Sequence, residues 1–546
     1  MSSPKSKDGV DLESILVELG TFGPYQIRTY CLILLPIMLS AVYNSQYIFN
    51  VADVNYRCTV PECESTPPQF ETGNWASWAY PESGGKCYRL EPADRSCTPA
   101  SFIYNSTLRC SSWIYENNNS IVSEFDLACS DWKRTLVGTI HSVGLFAALP
   151  LTGYVSDTFG RKLAFVMTAV AAAVSGLIRS FSNGYVMYII FEFIDATVGS
   201  GVYSTGFILA LEMVALNHRV LGGNLISSSF ALGQVALATV AWMLPQWRTL
   251  TRVLYAPSLL FVVYYFFLEE SVRWLLSKGD KKEAARIIFK VAKINGKKLS
   301  AETVRKLTEE PSLEEMKVPH AESLTAIKEE EEALLCQVVK SKILMSRLCI
   351  CSFWWITVTF IYYGLSINSV SLAGNSYVNY ILTSLVEIPG YALSVLLLDR
   401  LGRKASILLS FVICGLSLIA LPFVPEYLYW LTISLTMLGK MCISMTFSSI
   451  YIYTSELFPT NARHRLLGVC SMIGRIGSIV APQTPLLMAY MESLPYLVFG
   501  VMAGCSGALT LLTPETLRMR LPDTVRQAED IAVQPRTRHR TDIIVD

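Results

Sequence analysis

Charge is scarce in this chain. Asp, Glu, Lys and Arg make up 16% of its 546 residues, where a water-soluble domain carries about a quarter. The formal net charge of +1 removes the electrostatic case for a nucleic-acid partner. No GxxxxGK[ST] loop occurs, which argues against pumping driven by a P-loop nucleotide site. The glycine-rich GSGVYSTG at residues 199–206 lies inside an apolar run and lacks the strand and the GxGxxG spacing of a dinucleotide site. Cys58 and Cys63 are too far apart for a zinc knuckle, and no nucleophile motif is present. No cofactor, metal or catalytic residue is therefore expected, and the chain does not read as an enzyme. Residues 1–9 are polar and lack the apolar core of a cleavable signal peptide, so the first hydrophobic segment is expected to serve as its own insertion signal.

Long apolar runs take the place of charge, and hydrophobic residues reach 52%. Runs at about 25–50, 136–156, 163–181, 185–214, 220–244 and 249–268 are followed by six more at about 344–367, 376–398, 405–423, 427–453, 466–488 and 494–512. Each is near the roughly 20 residues that a membrane helix needs. The reading is an all-α membrane protein of twelve helices in two bundles of six. Residues 1–24 precede the first bundle, with Leu12, Ile15, Leu16 and Leu19 on one face of a short amphipathic helix. The first bundle covers 25–268, the second 344–512. A polar segment at 269–343 joins them, and a polar tail follows at 513–546.

Cysteine is concentrated. Cys58, Cys63, Cys87, Cys97, Cys110 and Cys129 all fall in one polar loop, residues 51–133, which also holds the sequons at Asn105 and Asn118. An even, clustered set beside glycosylation acceptors reads as an oxidised extracellular loop of undetermined pairing.

One short motif occurs twice. GYVSDTFGRK at 153–162 returns as VLLLDRLGRK at 395–404, aligning Asp157 with Asp399, Gly160 with Gly402, Arg161 with Arg403 and Lys162 with Lys404. These loops, with Arg219, Arg400, Arg463 and Arg465, place positive charge on one side. The opposite short loops hold Arg179 and Arg248. The basic side is expected to be cytoplasmic, which puts both termini and the 269–343 segment inside and the cysteine loop outside.

In order along the chain stand Glu124-Phe-Asp-Leu-Ala-Cys129, the doubled DxxGRK loop, Glu270-Ser-Val-Arg273-Trp274, Glu387-Ile-Pro389, Ser455-Glu456-Leu-Phe-Pro459 with Arg463, and Pro514-Glu-Thr516. In this order the chain resembles the major facilitator superfamily, and within it the organic cation, organic anion and zwitterion (carnitine-like) transporter family. The resemblance covers nearly the whole length. It implies alternating access around a central site between the bundles, at the plasma membrane. Asp157, Gly160, Arg161, Asp399, Gly402, Arg403, Glu270, Arg273, Glu456 and Arg463 then belong to the gate on the cytoplasmic side, with the two aspartates as its switching acids.

Charges inside spans are costly, about 2.5–3.5 kcal/mol at the bilayer centre, and so point to function. The second half holds Glu387, Lys440 and Arg475. An arginine at position 475 resembles the anion and zwitterion members and could grip a carboxylate. Glu387 could complement an amine, or pair with Lys440 or Arg475 to hold helices together. Trp355, Phe360, Tyr362 and Tyr363 on the seventh run, Phe230 and Gln234 on the fifth and Asn44 on the first complete the expected pocket, where ring faces can hold an ammonium group. Glu192 stands where the family usually has an arginine, with Asp195 on the same helix face. The pair suits a cationic group or a proton, although a water-exposed position near the outer end of the span is favoured. His141 reads as a packing histidine or a proton carrier.

The expected partners are a small organic ion (a zwitterion or anion such as β-alanine or a carnitine-like solute, or else an organic amine), the lipid bilayer, a coupling sodium ion or proton, and a second copy through the extracellular loop. From another class, the chain could be a non-transporting receptor or adhesion partner. The charges retained within the spans argue against that.

Overall fold

The computed structural model describes residues 12–20, 22–81, 86–215, 218–308, 337–460, 462–519, 521–522 and 524–532. The sequence reading on residues 1–9 lies outside these.

Among the described residues, eleven helices are long and apolar enough to cross a membrane, and the shorter apolar helix Leu494–Thr510 makes the twelfth. Spans 1 to 6 are Pro24–Asn50, Asp131–Phe159, Arg161–Arg179, Tyr185–Glu212, Arg219–Met243 and Trp247–Phe267. Spans 7 to 11 are Lys342–Ser371, Ser376–Arg400, Arg403–Phe423, Tyr429–Leu457 and Arg465–Ala489, with Leu494–Thr510 as span 12. Helices satisfy their own backbone polar groups, which a bilayer interior cannot do for them.

Proline sets the irregular stretches. Pro257 opens a 3₁₀ segment at Ala256–Val263 in span 6, and Pro482 and Pro485 lie in another at Ala481–Ala489 in span 11. Span 8 is divided into Ser376–Leu385 and Glu387–Arg400. Pro389, which has no N–H to offer the carbonyl four residues back, accounts for that division. The break leaves Glu387 at the start of the second piece.

Each half has its own core. Tyr30, Ile37, Phe165, Val202 and Leu209 are among the buried residues of the first, and Trp354, Val358, Phe411, Ile443 and Phe499 of the second. A third cluster packs the helix Leu12–Glu18 through Ile15, Leu16 and Leu19 onto Ile287, Ile288 and Val291 of the helix Lys281–Asn295.

The cysteine loop folds into a small domain. Strands β1 (Tyr56–Cys58) and β4 (Trp113–Tyr115) pair antiparallel, as do β2 (Tyr88–Pro92) and β3 (Phe102–Arg109). Its core is Val60, Ala79, Leu90 and Phe102. So little apolar burial calls for covalent ties. All six cysteines supply them, as Cys58–Cys110, Cys63–Cys97 and Cys87–Cys129. Asn105 and Asn118 are both exposed. Glu124 fastens the domain's end to span 6 by pairing with Arg248 at 2.5 Å and accepting the Trp247 indole N–H.

The bundles touch on the face that carries this domain. Thr135 and Thr139 of span 2 bond to Gln483 and to the Ile479 carbonyl of span 11. Phe49 stacks on Tyr377, 5.7 Å between centroids, and Tyr377 also stacks on Trp242. These hydrogen bonds and ring contacts join spans 1, 2 and 5 to spans 8 and 11. The conformation is therefore sealed on the disulfide-domain face.

Candidate functional site

Glu387 and Lys440 meet inside the second bundle. Lys440 Nζ lies 3.1 Å from Glu387 Oε1, and neither side chain is exposed at all. The ammonium also donates to Ser366 Oγ at 2.7 Å and to the Tyr362 carbonyl at 3.0 Å, and it sits 3.4 Å from the Tyr362 ring centroid. The hydroxyls of Tyr362 and Tyr391 donate to Glu387 Oε2 at 2.7 and 3.1 Å. Both charges are thus paired and hydrogen-bonded, the condition for holding an ion pair in a low-dielectric site.

Arg475 is different. It lies on span 11 one helical turn from Ile479 of the seal, is half-buried, and makes no ion pair with any described residue. It lies within electrostatic reach of Tyr451, as does Tyr363. A chain of rings runs from there: Tyr451 to Trp355 at 4.5 Å, Tyr451 to Phe447 at 5.8 Å, Phe447 to Tyr362 at 5.4 Å, and Tyr362 to Tyr363 at 5.3 Å. From the first bundle, Tyr203 packs edge-on to Phe230 at 5.4 Å and lies within electrostatic reach of Tyr363, Tyr451 and Glu387. This aromatic-lined zone between the bundles brings Arg475, Tyr362, Tyr363 and Phe230 together. Tyr203, Phe447, Tyr451 and Tyr391 belong to it and were not singled out in the sequence, where an aromatic in an apolar run looks like any other.

Other expected pocket residues turn elsewhere. Phe360 packs into the bundle core, 5.0 Å from Phe499. Trp355 meets the zone through its edge-on contact with Tyr451; it is 1% exposed and gives its indole N–H to Thr454 within its own bundle. The Asn44 amide donates to the Ser40 carbonyl of its own helix at 2.7 Å, and Gln234 is buried.

The doubled loop forms two matching constructions. Gly160 and Gly402 have φ of 103° and 98°, a conformation that costs little only for glycine. Each glycine opens the next helix, and a half-buried acid from beyond the last span of the same half caps it. Glu270 accepts the Arg161 N–H at 2.9 Å and the Lys162 N–H at 3.1 Å. Glu515 accepts those of Arg403 and Lys404, at 2.9 and 3.1 Å. Carboxylates at helix N-termini meet the positive end of the helix dipole. Burial pushes the Glu270 carboxyl up from its usual range, against the pull of those N–H donors. Arg161 reaches Glu212 at 3.6 Å and Arg403 reaches Glu456 at 3.2 Å. Arg463 is buried and donates to Thr460, while Arg273 pairs with Glu13 at 3.8 Å.

The carboxylates of Asp157 and Asp399 sit at the surface and, among the described residues, each pairs with the arginine four residues on, at 2.7 and 3.4 Å. The acids gripping the loops are Glu270 and Glu515. An acid just after the sixth span of each half, Glu270 and Glu515, was the available signal. A Cβ on Gly160 would strike the Glu270 carboxylate, and one on Gly402 would lie 2.5 Å from Glu515 Oε2. Gly160→Ala and Gly402→Ala should each introduce strain of about 1–3 kcal/mol and displace the cap. Melting in detergent should show a drop for both, and little change for Gly153→Ala, which has open space around it.

Two readings need correction. Glu192 and Asp195 are not a water-exposed pair, and Arg179 does not lie in a loop. All three are essentially fully buried in the first bundle. Arg179 pairs with Glu192 and, at 3.0 Å, with Asp195. The hydropathy of the run hid a guanidinium at its end, and pairing with two acids is what allows it to be buried there.

Two bundles of six helices, a charged and aromatic zone between them, and a seal on one face define a membrane transporter of the major facilitator fold. The chain matches the Sugar (and other) transporter family over residues 86–522. It is 33% identical over 536 residues to an organic cation transporter protein of Drosophila melanogaster, covering 96% of this chain and 95% of that one. It is 29% identical over 544 residues to solute carrier family 22 member 3 of Mus musculus, covering 95% and 96%. The xylose transporter XylE from E. coli, in a partially occluded inward-open conformation, shares the fold with a TM-score of 0.59 at 13% identity, over 90% of this chain and 98% of that one. The protein belongs to the major facilitator superfamily and, within it, to the organic cation, organic anion and zwitterion transporter family. It is a multi-pass membrane transporter, not an enzyme.

Proposed function

We propose that this protein carries small carboxylate-bearing organic ions, zwitterions or anions of the size of β-alanine or carnitine, across the plasma membrane by alternating access. The disulfide domain faces outward, and the basic loops and both termini face the cytoplasm. The observation that carries this reading is the contrast between Arg475 and its neighbours. Lys440 and Glu387 neutralise one another, so the charge of the central zone is that of the half-buried Arg475. A guanidinium can hold a carboxylate through two parallel hydrogen bonds, while the surrounding rings cover the apolar part of the solute. In the sealed arrangement, that solute would leave toward the basic-loop face. Rocking one bundle against the other would open the opposite route.

The test is uptake of radiolabelled β-alanine, carnitine and a set of aromatic carboxylates into cells expressing the protein. Arg475→Ala should reduce carboxylate uptake about 10-fold to 150-fold, the loss of a charged hydrogen-bonding partner worth about 1.5–3 kcal/mol. Unchanged uptake of every carboxylate tested would sink the reading. An organic amine is the second reading, supported by the Glu387 carboxylate with its ring of tyrosines and by the cation named for the Drosophila relative. It predicts the reverse: Glu387→Gln abolishes amine uptake and Arg475→Ala leaves it intact.

A further inference from the structure

The first bundle contains a buried charge cluster that the transport reading does not use. Glu192 Oε1 lies 2.8 Å from His141 Nδ1, while Oε2 pairs with Arg179. Asp195 Oδ2 pairs with Arg179 at 3.0 Å and accepts the Tyr255 hydroxyl at 2.8 Å. His141, Arg179, Glu192 and Asp195 are each 1% exposed or less. The other titratable groups facing them are Tyr188, whose ring lies 5.7 Å from the Arg179 guanidinium, Tyr47, whose ring lies 4.7 Å from that of His141, and Tyr43, which packs 4.9 Å from the Tyr255 ring and lies within electrostatic reach of Asp195.

The charges do not balance. Two carboxylates oppose one guanidinium, so with a neutral imidazole the cluster carries one excess negative charge in a dry site. Burial penalises such a charge heavily unless it is compensated. One proton restores neutrality. There is also an atom to receive it: with Nδ1–H donated to Glu192, His141 Nε2 keeps a free lone pair and has no hydrogen-bond partner among the described residues. The face of Tyr47 beside it favours the cationic ring that results.

Position links this group to the seal. Tyr47 stands between His141 and the seam of spans 2 and 11. A Cβ on Gly138 would lie 2.9 Å from Tyr47 Cε2 and 2.7 Å from Pro482 Cβ. Only a glycine lets the ring and the proline close on one another there. Parting of spans 2 and 11 would bare the Tyr47 edge, and behind it His141, to the disulfide-domain side.

We infer that His141, with Glu192, Asp195 and Arg179, forms a proton-binding site that exchanges with the extracellular side and favours the sealed conformation when occupied. The inference rests on the orientation proposed above and not on the identity of the solute. Its sign follows from the charge count. In the sealed state the site is dry and holds the proton. In the outward-open state water screens the excess charge and the proton leaves more readily. Acidic medium outside therefore closes the seam, and alkaline medium opens it.

The experiment needs no substrate. Thr135→Cys places a thiol at the seam in the full-length protein at the cell surface, and its labelling by a membrane-impermeant maleimide is followed between about pH 5.5 and about pH 8, the range in which an imidazole titrates. The protein without this cysteine gives the background from native thiols. His141→Gln on the Thr135→Cys background carries the same thiol, so the ratio of the two labelling rates cancels thiol chemistry. That ratio should rise with pH by at least threefold, within the limit of about tenfold per pH unit set by one linked proton. Glu192→Gln, which removes the excess charge, should flatten the profile in the same way and provides the test if His141→Gln does not reach the surface. A ratio constant across the range for both variants overturns the proposal. Because no solute enters the measurement, its failure is distinct from failure of the Arg475 assignment.

Discussion

Arg179→Met should leave almost no folded protein at the cell surface. The substitution keeps volume but strands Glu192 and Asp195, both fully buried, without their shared cation. Removing one partner of a buried ion pair costs about 3–5 kcal/mol, and here a single guanidinium serves two acids. It also donates to the Gln46 side-chain carbonyl at 2.8 Å and to the Tyr255 hydroxyl at 3.2 Å, so spans 1, 3, 4 and 6 lose their common polar anchor together. The deficit is of the order of total stability for many proteins, about 5–15 kcal/mol. Surface biotinylation and melting in detergent measure it. The triple variant Arg179→Met with Glu192→Gln and Asp195→Asn should recover much of the loss, since neutral partners of similar shape replace the whole cluster. Near-normal melting of Arg179→Met alone would mean that the acids are neutral in the folded protein.

The architecture was legible because it rests on length and repetition. Twelve apolar runs, two DxxGRK loops and six cysteines in one polar stretch are local patterns, and local patterns survive in a linear string. The disulfide pairing was not legible, because Cys58 finds Cys110 only after β1 and β4 come together. The central site was read in part. Arg475, Glu387 and Lys440 stood out as charges in apolar runs, but nothing in their spacing tells which pair is closed and which cation is left over. Arg179 was misread for a related reason: at the end of a run, a loop arginine and a buried one look alike until the acids on span 4 are folded against it. Glu515 went without a role because its partners are two backbone N–H groups more than 100 residues away. Backbone donors leave no mark in a sequence.

The two halves put buried ion pairs to different uses. In the first bundle, three charged side chains and a histidine leave one proton's worth of charge unbalanced behind the seal. In the second, Lys440 and Glu387 balance. A balanced pair is indifferent to moderate changes in pH and contributes a fixed geometry, holding span 10 against span 8 while the Lys440 contacts tie both to span 7. The bundle that carries the proposed solute-binding arginine is thus the electrically quiet one, and the bundle that faces it across the seam carries the titratable cluster. Solute charge and medium acidity would then act on opposite sides of one interface, which is what a transporter requires if both are to bias the same rocking motion.

Lys440→Met should abolish transport and lower melting in detergent by the equivalent of about 3–5 kcal/mol, because Glu387 is left as an uncompensated buried carboxylate. Glu387→Gln should be comparably damaging, leaving the Lys440 ammonium buried with neutral acceptors and no counter-charge. The double variant decides what the pair is for. With both charges gone, Tyr362 and Tyr391 can still donate to the glutamine oxygen, and melting should return close to that of the parent. If the pair only ties helices together, carboxylate uptake returns with it. If an incoming ammonium group normally displaces Lys440 from Glu387, the refolded double variant should still take up simple carboxylates through Arg475 but lose zwitterions such as β-alanine and carnitine. Uptake of the two solute classes by the same double variant, set against its melting temperature, separates a structural tie from half of a binding site.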